Sequence, residues 1–393
     1  MASTQVCVAG GGPAGLMLGY LLARQGISVI VLEKHADFLR DFRGDTVHSS
    51  TLELLDEAGL GDRAEDLPGR KAGQLRMSFA DGTFTVADFT RLRGKHPYLM
   101  FVPQWDFLEL IASEAAKLPS FKLLRSTEVT DLLRAEDGTV TGVRAGDRVI
   151  EAGLTVACDG RFSTVRSLLG LEPVEYGAPM DVLWFRVSRT EADGEGLELR
   201  VGHGGLMICI DRGDYYQCAF VIAKGGYDEV VAAGLEAFQA RVAQLAPFLA
   251  DRVGELSTWD DVKLLTVKLN RLETWHGPGY LLIGDAAHAM SPIGGVGVNL
   301  AIQDAVATAR ILGLALKTGQ PLDLAAVQKR REFPTAVTQR VQRIAQQRFV
   351  DPLLRADGPV SAPLPLKVLR RLPFLQGLPA RMVGIGVRPE HLA

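Results

Sequence analysis

The sequence predicts an α/β fold: a Rossmann-like domain interleaved with an antiparallel β-sheet domain and followed by C-terminal helices. Three observations carry this. The chain opens on a strand, a glycine turn, a helix and a second strand. Alternating apolar runs interrupt the α/β pattern twice, and helical patterns dominate from residue 299 onward. At 393 residues the chain is too long for one simple core. The nucleotide-binding domain is expected from 1–72, 98–180 and 275–320, the sheet domain from 73–97 and 181–274, and the helical region from 321–393.

QVCVAG is a strand by length and β-branched content, and GGGPAG is the turn. LMLGYLLARQG reads as a helix stopped at Gly26, and ISVIVLE as the second strand. LELLDEAGL (52–60) is an amphipathic helix. Residues 74–102 alternate between turn signals and suggest antiparallel strands away from the first sheet. WDFLELIASEAAKL is a helix. The stretch from FKLLRS to LTVACDG reads as strands and hairpins, with Asp137-Gly138 as a turn. Alternating runs (VLWFRVS, GLMICID, YYQCAFVI) fill 181–270 around one helix, LEAFQARVAQLAPFL. YLLIGDAAH resembles the end of a buried parallel strand.

Composition excludes several function classes. A net charge of -3 gives no global pull toward nucleic acid or membrane, so neither is expected as a partner. The last third is locally basic (KRREF, QRVQR, LRR), which reads as a solvated helix face or a docking surface. The four cysteines include no CxxC pair, so no metal site is expected and a reducing, cytoplasmic setting is. The N-terminus has no basic region or cleavage site of a signal peptide.

Gly10-x-Gly12-x-x-Gly15 lies between a strand and a helix. Glycines there allow a tight turn and close approach of a pyrophosphate to the free N–H groups of a helix start. Glu33, at the end of the next strand, is placed to accept from a ribose diol. Late in the chain stands GDAAHAMSPIGGVGVN (284–299). Asp285 follows an apolar strand, where ligands bind in α/β sheets, and suits a sugar or ribityl hydroxyl or simply a helix cap. Gly294 to Asn299 opens a helix whose N–H groups would stabilise an electron-rich oxygen. Between the two, CDGRFSTVR (158–166) reads as strand, turn and helix, with Ser163 as a cap.

Taken together, GGGPAGL, CDGRFSTVR and GDAAHAMSP–GGVGVN resemble the class A FAD-dependent monooxygenases, the aromatic hydroxylases with the 4-hydroxybenzoate hydroxylase fold, across about residues 4–320. Arg43-Gly44-Asp45 and Gln104, each before a helix, are similar to that family. The resemblance implies FAD as cofactor. Gly10, Gly12, Pro13, Ala14 and Gly15 would cradle the pyrophosphate and Glu33 the ribose. Arg43 would approach the phosphates, Gln104 the ribityl chain, and Val129 the adenine through its backbone. Asp159 is linked to both FAD and pyridine-nucleotide use. Asp285 would bind the ribityl or pyrophosphate part. Gly295, Gly297 and the Val298 and Asn299 amides would face the flavin ring, with Pro292 at its edge. NADH or NADPH would visit transiently, with Arg161 and Arg166 as candidates for its phosphates, because no second GxGxxG is present.

The implied activity is oxygen insertion from O2 into an aromatic or phenolic small molecule through a flavin C4a-hydroperoxide, by a monomer or homodimer. His48 is a candidate for substrate deprotonation, or a helix cap or core residue. Trp184, Met207, Cys209, Arg212 and Tyr215 are candidates for the substrate site. Their apolar bias suggests a polycyclic substrate, although Arg212 between Asp211 and Asp214 also reads as an ion pair. A flavin reductase without oxygen insertion and a non-catalytic flavin-binding protein are the alternatives. The absence of a WxWxIP-type segment speaks against a halogenase.

Overall fold

The computed structural model describes residues 2–39, 46–194, 196–202, 205–356 and 358–392. A sheet with a parallel centre runs in the order Tyr280–Leu282, Arg148–Ala157, Ala2–Ala9, Val29–Leu32 and Phe121–Leu124. Its register brings Val8 between Val31 and Val156. The segments 6–9, 29–32 and 154–157 at its centre are buried on both faces, which is why they read as nearly unbroken apolar runs. On one face lie the helices Pro13–Arg24, Gln104–Ala115 and Gly297–Thr318. The last is apolar and long enough to cross a membrane, but it lies mostly buried within this core.

A second sheet has seven strands in the order Lys263–Leu265, Met180–Ser188, Tyr215–Ala223, Gly205–Asp211, Leu197–Gly202, Gln74–Phe79 and Gly82–Asp88. It is antiparallel except where Leu197–Gly202 runs parallel to Gln74–Phe79, a departure from the expected all-antiparallel pattern. Leu99–Phe101 leaves this sheet and pairs with Thr46–Val47 and Arg70–Ala72. The expected Asp137-Gly138 turn is present. Gly138 takes a φ of 83°, and Thr139 N–H donates to the Asp137 carboxylate.

The two faces of the second sheet bury different things. Leu183, Phe185, Met207, Cys209, Cys218 and Phe220 pack under the Leu235–Leu245 helix. The opposite face carries a cross-strand row of Trp184, Ala219, Ile208 and Leu199. That face packs against the C-terminal helices and the small sheet of Leu99–Phe101 and Arg70–Ala72. The helix Leu324–Ala345 packs along Gly297–Thr318, and the short helices Leu364–Arg371 and Gly377–Gly384 both lie on strand Gly82–Asp88.

Candidate active site

The first glycine turn is built for contact with something outside the chain. Gly10 has a φ of 104°, and a Cβ there would lie 2.4 Å from the Cys158 carbonyl oxygen. A Cβ on Gly15 would lie 2.0 Å from the Gly10 oxygen. These two glycines are required by the fold itself. Gly12 is different. A Cβ there would meet nothing within 4 Å, and its φ of -79° is open to any residue. Glycine at this position leaves open space above the first turn of the helix Pro13–Arg24, the space a pyrophosphate needs. Glu33 is buried beside the turn. Its carboxylate accepts from Gly11 N–H at 3.0 Å and His35 N–H at 2.9 Å. Val129 is buried in the segment just past Thr127, whose N–H donates to the Glu33 carbonyl.

Two more chain segments end at the same sheet edge. Gly284 has a φ of 59°, and a Cβ there would sit 3.4 Å from Ala14 Cβ and 3.3 Å from Ala301 Cβ. Asp285 is therefore held between the starts of the Pro13 and Gly297 helices. Its carboxylate is partly exposed and faces Arg161 at 3.4 Å. Gly294 and Gly295 take positive φ, which bends the chain into the Gly297–Thr318 helix. The Asn299 side chain fastens that bend. Its amide donates to the Thr46 and Gly295 carbonyls, each at 3.1 Å, and its oxygen accepts from His48 N–H at 2.9 Å and Thr51 Oγ1 at 2.7 Å. Gln104 opens the helix Gln104–Ala115. Arg43 lies outside the described residues.

The middle motif is spent largely on structure. Asp159 accepts from Ser163 Oγ at 2.5 Å and from Val165 N–H at 3.0 Å. Burial pushes its carboxyl up, against those hydrogen bonds. Ser163 Oγ in turn accepts from Arg166 N–H, the expected cap. Arg166 departs from its expected role in binding nucleotide phosphates. It is buried, and its guanidinium donates to the Ala286 carbonyl at 2.9 Å and the Arg161 carbonyl at 2.8 Å. It buttresses the Asp285 turn from behind. Of the two arginines, Arg161 is the more accessible.

A row of polar side chains on the Leu324–Ala345 helix and the turn after it grips residues 284–293. Gln342 Nε2 donates to the Ser291 and Ile293 carbonyls, each at 2.9 Å, and its oxygen accepts from Ser291 N–H at 3.2 Å. Gln339 donates to the Asn270 carbonyl at 2.7 Å and the Ala289 carbonyl at 3.2 Å, and Gln346 to Ser291 Oγ at 2.9 Å. One end of the row is ionic. Asp304 accepts from Gly284 N–H at 3.1 Å and Arg331 Nε at 2.8 Å, and lies 2.6 Å from His288 Nε2. Burial raises the Asp304 carboxyl, but His288 and Arg331 outweigh it and hold the group below the usual carboxylate range. Arg331 also meets Glu390, which Arg330 and Arg310 reach as well. None of these residues was singled out from the sequence. The available signal was the spacing of Arg331, Gln339, Gln342 and Gln346, which places them near one face of a helix otherwise read as basic and solvated.

The substrate candidates divide between the two faces of the second sheet. Trp184 lies in an apolar wall with Leu199 and Ile208; Ile293, just beyond Pro292, and Val383 of the Gly377–Gly384 helix pack against the same apolar clusters. Its indole Nε1 is buried and has no hydrogen-bond partner among the described residues. Tyr215, at register with Ser188, shares the face of Trp184. Arg212 donates to Gln217 Oε1 at 2.8 Å and lies over the Phe101 ring. Met207 and Cys209 were expected to line this site, but strand alternation turns them to the other face, into the core beneath Leu235–Leu245. His48 is 1% exposed at the cap position before the Ser49–Glu57 helix, and its Nε2 has no partner among the described residues. Burial pulls its imidazole down to about 4, with the Val383 and Gly294 carbonyls opposing, so it is neutral at ordinary pH. It stands between the Gly294–Gly295 bend and the C-terminal helix that carries Val383.

Open space above Gly12 suits a pyrophosphate, and a second glycine-bent helix start at the same sheet edge suits the polar rim of a ring system. Both together suit a dinucleotide that carries a ring system, as FAD does. The chain belongs to the FAD binding domain family, which it matches over residues 3–341. It is 34% identical over 370 residues to the 6-methylpretetramide 4-monooxygenase of Streptomyces rimosus, covering 92% of this chain and 87% of the relative. It is 30% identical to the 12-dehydrotetracycline 5-monooxygenase/anhydrotetracycline 6-monooxygenase of the same species, covering 90% of this chain and 71% of the relative. The solved structure of OxyS anhydrotetracycline hydroxylase from Streptomyces rimosus superposes with a TM-score of 0.74 at 28% identity, over 98% of this chain and 76% of that one. The protein is an FAD-dependent monooxygenase of the aromatic hydroxylase class.

Proposed function

We propose that the protein hydroxylates a polycyclic phenolic substrate with NADH or NADPH as reductant. The observation that carries this reading is the unpaired Trp184 indole N–H in an otherwise apolar wall. A buried donor without a partner costs about 1–3 kcal/mol, which a ligand acceptor would restore. The wall suits fused rings, and the indole suits an oxygen on them. The relatives' names point to tetracyclic substrates of this kind.

FAD, when bound, supplies electron transfer from the pyridine nucleotide and activation of O2. The chain's own residues do the rest. The Gly10–Gly15 turn with Pro13 and Ala14 would hold the pyrophosphate, Glu33 the adenosine ribose and Val129 the adenine. Gln104 and Asp285 would hold the ribityl chain. The N–H groups from Gly295 through Gly297 and Val298 to Asn299 would face the flavin ring, with Pro292 at its edge. Arg161 is the cation we assign to the visiting nucleotide. His48, held neutral, would accept a phenol proton through Nε2 or orient the phenol by a hydrogen bond. Four free, buried cysteines suit a cytoplasmic setting.

The test is anaerobic reduction of the FAD-loaded protein by NADH and NADPH, with and without simple phenols, naphthols and hydroxylated naphthacenes, followed by product analysis under labelled oxygen. We expect reduction to accelerate with a fused-ring phenol, label in the product, and a raised KM in Trp184→Phe. Equal reduction with every compound, or unlabelled product, would refute the proposal.

A further inference from the structure

Two exposed apolar stripes lie side by side on the C-terminal helices. Leu364, Val368 and Leu372 recur at every fourth residue along the Leu364–Arg371 helix and its end, and all three are exposed. Phe374, Leu378 and Met382 repeat the pattern along the Gly377–Gly384 helix, and all three are exposed. The inward residues Leu366, Ala380 and Gly384 are buried, and both helices rest on strand Gly82–Asp88. The stripes therefore face outward together. Charge here is one-sided. Residues 358–388 contain five basic residues, Lys367, Arg370, Arg371, Arg381 and Arg388, and no Asp or Glu, in a protein of net charge -3. Lys367 pairs with Asp81, and Arg370 lies over the Phe84 ring. Arg371 and Arg381 are exposed, with no ion pair among the described residues.

We infer that this surface docks on an anionic lipid bilayer. An exposed apolar stripe flanked by cations matches the acyl boundary and the headgroup charge at the same time. A second copy of the chain fits less well, because a two-fold axis through the patch would bring the same unneutralised arginines together. The inference reverses the absence of membrane partners expected from overall charge, since the bias is local. It stands independently of the substrate reading. The two meet in one feature: Val383, on the same helix as Leu378, belongs to the wall that holds Trp184. Docking would set the roof of that wall at the lipid boundary.

The test is flotation of the FAD-loaded protein with phosphatidylcholine vesicles, with and without about a third phosphatidylglycerol, at low and high salt. We expect flotation with the mixed vesicles, weakened by salt, and little with phosphatidylcholine alone. Arg371→Gln with Arg381→Gln should weaken it roughly thirtyfold. Phe374→Gln with Leu378→Gln should abolish it, while NAD(P)H oxidation in solution is unchanged. Either of two results overturns the inference: no flotation with either vesicle, or light scattering showing that the apolar variant converts a dimer to a monomer.

Discussion

Replacing Gln342 by methionine tests whether the polar row positions the 284–293 segment. The two side chains are close in volume, so little cavity forms, and the change removes only hydrogen bonding. Three backbone groups lose their partner: the Ser291 N–H, the Ser291 carbonyl and the Ile293 carbonyl. Ser291 is 1% exposed and Gln342 3%, so water does not replace the side chain at Ser291, whereas Ile293 is partly open. At about 1–3 kcal/mol for each buried group left unpaired, with the Ile293 carbonyl discounted, the cost is about 3–5 kcal/mol. Gln346→Met removes one bond to a Ser291 hydroxyl that can turn elsewhere, and should cost about 1 kcal/mol. Urea unfolding of both variants without FAD measures the difference, and FAD titration of each shows whether the loss reaches the cofactor. Equal destabilisation by the two variants would refute the reasoning. So would an FAD affinity in Gln342→Met as high as in the parent protein.

Gly12→Ala should leave stability without FAD within about 1 kcal/mol, because its Cβ meets nothing, yet weaken FAD binding at least tenfold; Gly15→Ala should destabilise the fold itself, and calorimetry with flavin titration separates the two. His48 has its imidazole lowered from 6.5 to about 4 by burial. A depressed histidine contributes stability that is present above pH 6.5 and lost as pH falls toward 4. The loss should be about 3 kcal/mol, and His48→Gln should flatten that part of the urea-midpoint profile. Glu390→Gln takes a full negative charge from Arg331, which is 0% exposed, and should cost about 3 kcal/mol while weakening FAD binding through the Asp304–Gly284 contact; unchanged FAD affinity would show that the tail is not coupled to the turn.

The glycine turn, the Asp285 strand end and the Gly297 helix start were legible because each depends on short-range rules. A glycine pattern between strand and helix, or a carboxylate after an apolar strand, has meaning within a dozen residues. The division of the second sheet into faces was legible in part. Alternation along YYQCAFVI sends neighbouring side chains to opposite faces, but does not say which face meets the core helix. That is set by Leu235–Leu245, which buries Met207 and Cys209 and leaves Trp184 for the other side. Arg166 was misread for a related reason. Its basic side chain follows a turn that looks exposed, and only the fold brings the Ala286 carbonyl, 120 positions away, over its guanidinium. The start of the helix expected over 52–60 moved to Ser49 because Asn299, 251 positions from His48, holds the backbone there. Contacts at that separation leave no local pattern.

Asn299 and Gln342 show how a glycine-rich loop can be fastened in one conformation. Residues 284–299 carry four glycines, three of them within 294–297, and little side chain there with which to pack on anything. Apolar burial cannot fix so bare a backbone, so directional bonds must do it. Asn299 uses both ends of its amide on Thr46, Gly295, His48 and Thr51, and Gln342 uses both ends on Ser291 and Ile293. Pro292 and the two positive-φ glycines lie between these anchors. The bend is therefore fastened on both sides by buried amides. Neutral amides suit this task better than charges if the flavin lies where we propose, because a carboxylate or guanidinium facing it there would bias the ring's electron affinity. The ionic part of the row, Asp304 with His288, Arg331 and Glu390, stands farther back, at the base of the Gly284 turn. Charge holds the support, and neutral amides hold the bend.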